Sequence, residues 1–289
     1  MLTTFVLPTL LLAALYALTA LAWVAIFQAT GVLNLATGSF ILLGPYFVLG
    51  LATQHGVALA IALPIALLLA GAAAVLSYQS MLRPLAGRPI LAPVIVTLGI
   101  SIALNAIVQI IWGAGSRAIT TPNVLGVLHL DGGRQVPFLS IVIVVVSFAF
   151  VLAILLLSRF TRLGILMRAS AENSLRAEQL GIGIHRMASI GWAIAGVAAA
   201  LTGLTYALQS FVSPDLALLG VKGLAPAMLG GFQSPGGAIL GALIVAFLET
   251  GAVSIWGGSV RDVVPFIVLL VILLVRPQGL FGKPTYLRV

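Results

Sequence analysis

The stretch VALAIALPIALLLAGAAAVLSYQSMLR runs from Val57 to Arg83 and carries no charged side chain before its final arginine. No Asp, Glu, Lys or Arg precedes Arg83 anywhere in the chain. Crossing the hydrocarbon core of a bilayer takes about 20 consecutive apolar residues. The sequence up to Arg83 therefore predicts three membrane-spanning segments.

The composition of the whole chain points the same way. Of the 289 residues, 61% are hydrophobic and 7% are charged, whereas soluble domains carry about 25% charged residues. Soluble helices also keep a polar face, and the apolar runs here have none. Because a segment in lipid must satisfy its own backbone hydrogen bonds, we expect an all-α, polytopic transmembrane helical bundle. No composition shift marks a linker, so residues 1–289 are predicted to form a single transmembrane domain.

The chain divides into eight apolar segments, one of them a broken pair, which predicts about eight spans. The first segment follows no basic stretch and is longer than the apolar core of a signal peptide, so we expect it to remain as a span. The segments are Phe5–Phe27, Leu35–Ala52, Val57–Leu82, Leu91–Trp112, Pro137–Leu157, Met187–Gln209, the pair Leu216–Gly231 with Ala238–Trp256, and Val263–Val275.

The net charge of +8 is distributed in short clusters between apolar runs, which argues against nucleic-acid binding. Basic residues concentrate in Arg83–Arg88, Arg159–Arg186 and the tail Arg276–Arg288. Such clusters lie on the cytoplasmic side of membrane proteins. We therefore expect a multi-pass membrane protein with its N-terminus and the loop Gly113–Gln135 outside and its C-terminus in the cytoplasm. This topology requires the segment Leu216–Gly231 to cross the membrane, or its two ends to restore the alternation of sides in another way.

The long loop of about 159–186 is predicted to contain one short exposed helix, from Arg168 to Leu180. This stretch lacks Gly and Pro and is rich in helix formers, and Glu172 and Arg176 have the i,i+4 spacing of a favourable pair. The helix is either a solvated connector or a docking element for a soluble partner. The candidate docking residues are Arg168, Ala169, Glu172, Arg176, Ala177 and Gly181.

Two regions place Gly, Pro and small polar residues within apolar surroundings. The first is GVLNLATGSFILLG, residues 31–44, and the second lies within residues 214–241 and includes GVKGLAPAMLGGFQSPGGAILG. Both are predicted to contain broken or half helices. Small residues allow helices to pack closely, whereas interrupted helices also mark transport pathways. The candidates in the second region are Gly230, Gly231, Gly236 and Gly237.

The sequence carries little that could support catalysis. It has no cysteine, the acidic residues and histidines lack metal-ligand spacing, and neither GxxxxGK[ST] nor GxSxG occurs. We therefore expect no enzyme activity, no bound metal and no cofactor. Ion-coupled carriers usually place ionisable residues within their spans, and Glu249 is the best candidate here. Its alternative interpretation is an interface-facing carboxylate near a helix end, or one paired with a basic residue such as Arg261.

Five stretches resemble the permease subunits of branched-chain amino-acid ABC transporters. The likeness covers nearly the whole chain in the expected order. The stretches are Gly31–Gly44, Arg83–Gly99, Thr161–Gly183, Lys222–Gly241 and Arg276–Lys283.

The resemblance implies a subunit in the lipid bilayer of a bacterial inner membrane, where it pairs with a second, identical or homologous permease. Two cytoplasmic ATPase subunits would use the ATP, and a periplasmic binding protein would deliver the substrate. The loop Arg168–Gly183 would dock to the ATPase. The candidates for the substrate path are Asn34, Thr37, Ser39 and Gly44.

Alternative functions remain open at the level of sequence. Related permeases suggest urea, short-chain amides or other hydrophobic amino acids as substrates. An ion-coupled secondary carrier or a channel would instead transport without partner subunits, and a membrane scaffold or enzyme subunit is a third alternative.

Overall fold

The computed structural model describes residues 5–89, 91–119, 127–130 and 134–282, which form a helical bundle with one short hairpin. In chain order the elements are α1 (Leu7–Thr30), α2 (Thr37–Val48), α3 (Leu59–Ser77), α4 (Leu91–Trp112), β1 (Val127–Leu130), β2 (Arg134–Pro137), α5 (Phe138–Phe160), α6 (Arg162–Glu172), α7 (Ser174–Gln179), α8 (Ile184–Ala207), α9 (Leu218–Lys222), α10 (Leu224–Gly230), α11 (Pro235–Trp256) and α12 (Val263–Val275).

Six of the described helices, α1, α3, α4, α5, α8 and α11, are long and apolar enough to cross a membrane. Helix α2 continues as a π-helical turn over Leu49–Gln54, and α12 is a shorter apolar helix. These elements confirm a transmembrane helical bundle, whereas the predicted number of about eight spans is matched only roughly. The antiparallel β1–β2 hairpin lies in the loop that was predicted to face the outside.

Helices α1 and α8 form the centre of the bundle. In their most apolar stretches, 78% and 72% of the residues are buried inside the protein, compared with 17% in α4. Helix α4 therefore presents most of its apolar surface outward, where lipid would cover it. An apolar helix that is buried on all sides needs no polar face, which explains why α1 and α8 lack one.

Small residues bring α8 close to its neighbours. A Cβ atom added to Gly196 would lie 2.6 Å from the Cβ of Ala74 in α3, and one added to Gly203 would overlap the carbonyl oxygen of Ile41 in α2. Close backbone approach through small residues is how helices associate in membranes. The glycines of α8 therefore fix its distance from α2 and α3.

The first predicted break is shorter than expected. Helix α1 ends where Gly31 adopts φ 69°, with its N–H donating to Phe27 O at 2.8 Å, as at many helix C-termini. The chain is non-helical up to Ala36, and α2 begins at Thr37. The predicted break near residues 31–44 therefore lies at residues 31–36, whereas residues 37–44 form the first part of a regular buried helix.

The second predicted break is confirmed in its first part. A 3₁₀ turn over Pro214–Ala217 leads into the short helices α9 and α10, and Gly231 at φ 90° ends α10. Helix α11 then begins at Pro235, where Ser234 Oγ accepts a hydrogen bond from Gly237 N at 3.0 Å. Residues 235–241 are therefore helical, because this serine cap starts a regular helix.

Helices α9 and α10 run along the second half of α1. Trp23 Nε1 donates to Gly220 O at 2.9 Å, and Gln28 Nε2 donates to Gln233 O at 2.8 Å. From Leu218 to Gly230 the two helices extend about 20 Å at 1.5 Å per residue, less than the roughly 30 Å of a hydrocarbon core. This pair alone is too short to span a membrane.

The loop of about 159–186 contains two helices, which corrects the prediction of one helix from Arg168 to Leu180. Helix α6 begins at Arg162, where Thr161 Oγ1 accepts from Gly164 N at 3.2 Å. The helix ends at Asn173, whose backbone is extended and whose Oδ1 accepts from Arg176 N at 3.0 Å. Asparagine favours this capping role over a helix interior, so the chain breaks here and restarts as α7.

Candidate functional site

The helices α6 and α7 form an exposed surface at one end of the bundle, which we call the α6 end. Arg168, Glu172 and Arg176 are exposed, and an Arg168 guanidinium nitrogen donates to Ser158 O at the end of α5. The predicted i,i+4 pair of Glu172 and Arg176 lies on either side of the break at Asn173. These two residues therefore do not share one helix face, which corrects that prediction.

The small residues of this loop have different surroundings. Ala169 is half-buried, and Ala177 is buried within the chain. Gly181 is exposed and has φ 79°, a backbone conformation that follows the end of α7. Ala169 and Gly181 remain available for a close contact, whereas Ala177 packs inside the protein.

Two leucines that the sequence analysis did not single out are prominent at the α6 end. Leu175 is 67% exposed and Leu180 is 80% exposed. Both lie outside the long apolar helices, beside exposed charged residues. Exposed apolar side chains rimmed by polar ones mark interaction sites. The signal was present in the sequence, because these leucines interrupt an otherwise polar stretch.

The α6 end brings two predicted basic loops together. A cleft of about 1010 Å³ is lined by Arg83 and Gly87 from the first loop and by Glu178, Gly181 and His185 from the second. Tyr78 OH and His185 Nδ1 lie 3.1 Å apart and join the two loops. The clustering of these loops agrees with the sequence-based expectation that they share one side of the membrane.

The polar candidates for the substrate path lie in the packed interior of this single chain. Asn34, Thr37 and Ser39 are buried, and Thr37 Oγ1 donates to Asn34 O at 2.8 Å. Ser39 Oγ accepts from Asn105 Nδ2 at 2.7 Å and lies 2.8 Å from Ser101 Oγ. Their part in a substrate path stays a prediction.

Gly44, the fourth path candidate, marks a close helix contact. A Cβ atom at this position would overlap the carbonyl oxygen of Ala200 in α8. Among the polar candidates, the Asn34 amide nitrogen is buried without a hydrogen-bond partner in the described structure. The geometry thus accounts for Gly44 through packing and leaves one polar group near the start of α2 unexplained.

The glycines of the broken region also mediate packing. Cβ atoms at Gly230 and Gly237 would each overlap the backbone of the other residue, and a Cβ at Gly231 would lie 2.8 Å from Gly282 N. Gly236 is exposed and has open space around its Cα. Three of the four candidates therefore hold α10, α11 and the chain after α12 in close contact.

A polar cavity of about 350 Å³ lies at the opposite end of the bundle, which we call the far end. Glu249 Oε2 accepts from Tyr16 OH at 2.5 Å, and Glu249 Oε1 lies 3.7 Å from Arg261 Nε. Lys222 Nζ lies 2.5 Å from Asp262 Oδ1. The alternative interpretation of Glu249, pairing with Arg261, thus agrees with the geometry.

The loop Gly113–Gln135 is only partly described. Arg117 exchanges two backbone hydrogen bonds with Val212, at 2.9 and 2.7 Å, and this contact joins the loop to the chain that follows α8. Asp131 lies outside the described residues, as does Lys283 in the tail.

Comparisons with known proteins agree with this architecture. A model of the family described as "Branched-chain amino acid transport system / permease component" matches residues 5–273. BraD of Pseudomonas aeruginosa, a high-affinity branched-chain amino acid transport system permease protein, is 31% identical, with 93% of this chain and 92% of BraD covered. LivH of Escherichia coli K12, which carries the same description, is 29% identical with the same coverage.

A solved structure shares the fold at low sequence identity. The structure of PsaBC from Streptococcus pneumoniae in complex with Fab contains a chain that matches with a TM-score of 0.55 and 14% identity. The match covers 97% of this chain and 95% of that chain. With a family model that spans almost the entire sequence and two curated relatives of similar length, this chain belongs to the family of permease components of branched-chain amino acid transport systems.

Proposed function

We propose that the chain is the membrane-spanning permease subunit of an ATP-driven importer for branched-chain amino acids. The observation that carries this proposal is the family match over residues 5–273. The relatives BraD and LivH are described as high-affinity branched-chain amino acid permeases. Their substrate class is therefore the one we propose here.

The energy source is proposed to be a separate ATPase that docks at the α6 end. The sequence contains no P-loop motif, so hydrolysis by that route would need a partner. The exposed Leu175 and Leu180, beside Arg176 and the cleft of about 1010 Å³, offer an apolar contact with charged surroundings. An interface of this kind has an apolar centre and a polar rim.

The proposed orientation places the α6 end in the cytoplasm and the far end outside. The exposed arginines of α6 and α7 support this orientation, because basic loops concentrate on the cytoplasmic side. The far end would then face a periplasmic binding protein. A second permease subunit would complete the path, and Asn34, Thr37, Ser39 and Gly44 remain our candidates for residues at or near it.

The test of this proposal is co-purification from the native host in mild detergent, with the partners identified by mass spectrometry. We expect an ATPase and a second permease chain to accompany the protein. A stable preparation of the chain alone, at normal yield, would contradict the proposal and favour an ion-coupled carrier or a channel. Glu249 would then be the first residue to substitute.

A further inference from the structure

The far-end cavity combines features of a small-molecule site. Its volume of about 350 Å³ lies within the usual range of ligand pockets, about 300–1,000 Å³. The lining residues run along α1 from Pro8 to Thr19, a distance of about 16 Å at 1.5 Å per residue. The cavity therefore extends from the end of α1 towards the middle of the bundle.

The charges in this cavity cancel. Lys222 and Arg261 are opposed by Glu249 and Asp262, and all four groups line the same space. A net-neutral set of this kind suits a ligand that carries one positive and one negative group. It repels neither half of a zwitterion and has a counter-charge for each.

The existing contacts leave unused hydrogen-bonding capacity on two charged residues that line the cavity. Glu249 is buried and uses Oε2 for the hydrogen bond from Tyr16, while its Oε1 lies 3.7 Å from Arg261 Nε, beyond hydrogen-bond distance. Lys222 has three donors, and its described partner is the exposed Asp262. A ligand ammonium could face Glu249 Oε1, and a ligand carboxylate could face Lys222.

The remaining walls of the cavity are apolar on one side and weakly polar at the inner end. Thr19 Oγ1 and Thr202 Oγ1 lie 3.5 Å apart there. The apolar part is formed by Leu11, Leu12, Leu15 and Leu219. A branched aliphatic side chain would replace water against these leucines, which favours binding by roughly 25 cal/mol per Å² of apolar surface removed from water.

We propose that the far-end cavity binds a free branched-chain amino acid, with its ammonium at Glu249, its carboxylate at Lys222 and its side chain against the leucines of α1. This inference rests on the proposed function, which supplies the class of ligand. It adds a binding site within the permease chain itself, separate from any site on a binding protein.

The test uses the purified complex without the binding protein and without ATP. Radiolabelled leucine is bound and then displaced by leucine, by 3-methylbutylamine, which lacks the carboxylate, or by 4-methylpentanoate, which lacks the ammonium. We expect each analogue to bind at least about tenfold more weakly than leucine, since a hydrogen bond to a charged group is lost. Equal displacement by leucine and either analogue would overturn the proposal.

Two variants and one control locate the binding. Glu249→Gln should weaken leucine about tenfold and leave 4-methylpentanoate unchanged. Ser210→Trp should abolish leucine binding, because Ser210 is exposed and lines the cavity. Ser259→Trp introduces the same ring at an exposed residue of the same end that does not line the cavity, and it should bind leucine normally. Unchanged leucine binding in either Glu249→Gln or Ser210→Trp would overturn the proposal.

The outcomes separate this inference from the proposed function. If the complex takes up leucine with ATP and Ser210→Trp leaves leucine binding intact, the far-end cavity is not the binding site, and the proposed importer function stands. Absence of both uptake and binding would refute both. Phosphatidylethanolamine carries the same pair of charges. If this lipid co-purifies with the Ser259→Trp protein but not with the Ser210→Trp protein, and leucine does not displace it, the cavity binds a lipid headgroup. That result would overturn the amino-acid assignment.

Discussion

The two ends of the bundle use charged residues in opposite ways. At the α6 end, Arg168, Glu172 and Arg176 are exposed, and so are Leu175 and Leu180 nearby in the chain. At the far end, Glu249 is buried and bonded to Tyr16, and the Lys222 side chain is 14% exposed and paired with Asp262.

This difference in burial distinguishes a docking surface at the α6 end from a small-molecule site at the far end. Charges that solvent already satisfies are available to a partner, and their exposed apolar neighbours gain from being covered. Buried charges must have their partners within the chain, because an unpaired charge is expensive to bury. The α6 end is therefore suited to docking, whereas the far end is suited to holding a small polar ligand.

The largest expected effect comes from adding charge to the apolar part of the α6 end. The double variant Leu175→Asp, Leu180→Asp should lower ATP-driven uptake more than tenfold and reduce the amount of co-purified ATPase, because it places carboxylates in the proposed contact. Both residues are exposed, so the melting temperature should change little. Uptake in proteoliposomes and the ATPase yield are the measurements.

The control for this variant is Gln179→Asp, which adds one negative charge at an exposed position of α7 between the two leucines. Its uptake should remain close to wild type. Equal losses in the control and the double variant would indicate a general effect of charge and contradict docking through the leucines.

A smaller effect is expected from the charged residues of α6. Replacing Arg168 and Glu172 together with alanine should lower uptake several-fold while ATP hydrolysis continues, because the docking element would no longer transmit its movement. The fold should stay intact, and Arg162→Ala, at an exposed residue of the same helix, should behave like wild type. Hydrolysis and uptake measured in the same vesicles would show the loss of coupling, and unchanged uptake would count against it.

The far end predicts an effect on stability. Glu249→Ala removes the acceptor of the buried Tyr16 hydroxyl and should lower the free energy of unfolding by about 1–3 kcal/mol. Glu178→Ala, at an exposed carboxylate of the α6 end, should change it by less than about 0.5 kcal/mol. Thermal unfolding in detergent measures both variants. Equal losses of stability in the two variants would contradict the proposed difference between the two ends.

The smallest expected effect concerns Asp262. The hydrogen bond from Lys222 lowers the pKa of Asp262 below its ordinary value of 3.8. A carboxylate with a lowered pKa stabilises the fold above its unfolded-state pKa, and this stabilisation is lost as pH falls through the folded-state pKa. Wild type should therefore melt slightly above Asp262→Asn at pH 7, and the gap should close below about pH 4.

Low salt is required for this measurement, because the Asp262 side chain is 76% exposed and salt screens such pairs. Asp215→Asn, at another exposed aspartate of the described chain, serves as the control. A melting-temperature gap that stays constant from pH 7 to pH 3 would show that Asp262 acts through something other than its charge.

The sequence predicted the features that lie close together along the chain. The apolar runs gave the helical bundle, and the arginines between Arg159 and Arg186 marked the α6 end. The break at Asn173 was missed because helix propensity over Arg168–Leu180 outweighed one capping residue. The hydrogen bond from Arg176 N to Asn173 Oδ1 joins residues three positions apart, so the signal for this break was present in the sequence.

The far-end cavity could not be predicted from patterns along the sequence. Its charged groups come from α9, α11 and the chain before α12, and Tyr16 comes from α1. Their approach depends on how the helices pack, and packing is set by close contacts such as Gly220 against Gly38. The sequence offers the pairing of Glu249 with Arg261 as one interpretation, whereas it predicts neither the hydrogen bond from Tyr16 nor the cavity.

The most direct measurement is leucine uptake by the co-purified complex in proteoliposomes. The binding protein is added on the side of the membrane that the far end faces, and ATP on the side that the α6 end faces. The proposed importer should accumulate leucine above the external concentration when ATP is present, and it should fail to do so with a non-hydrolysable analogue. Accumulation without ATP, driven by an ion gradient, would contradict the importer.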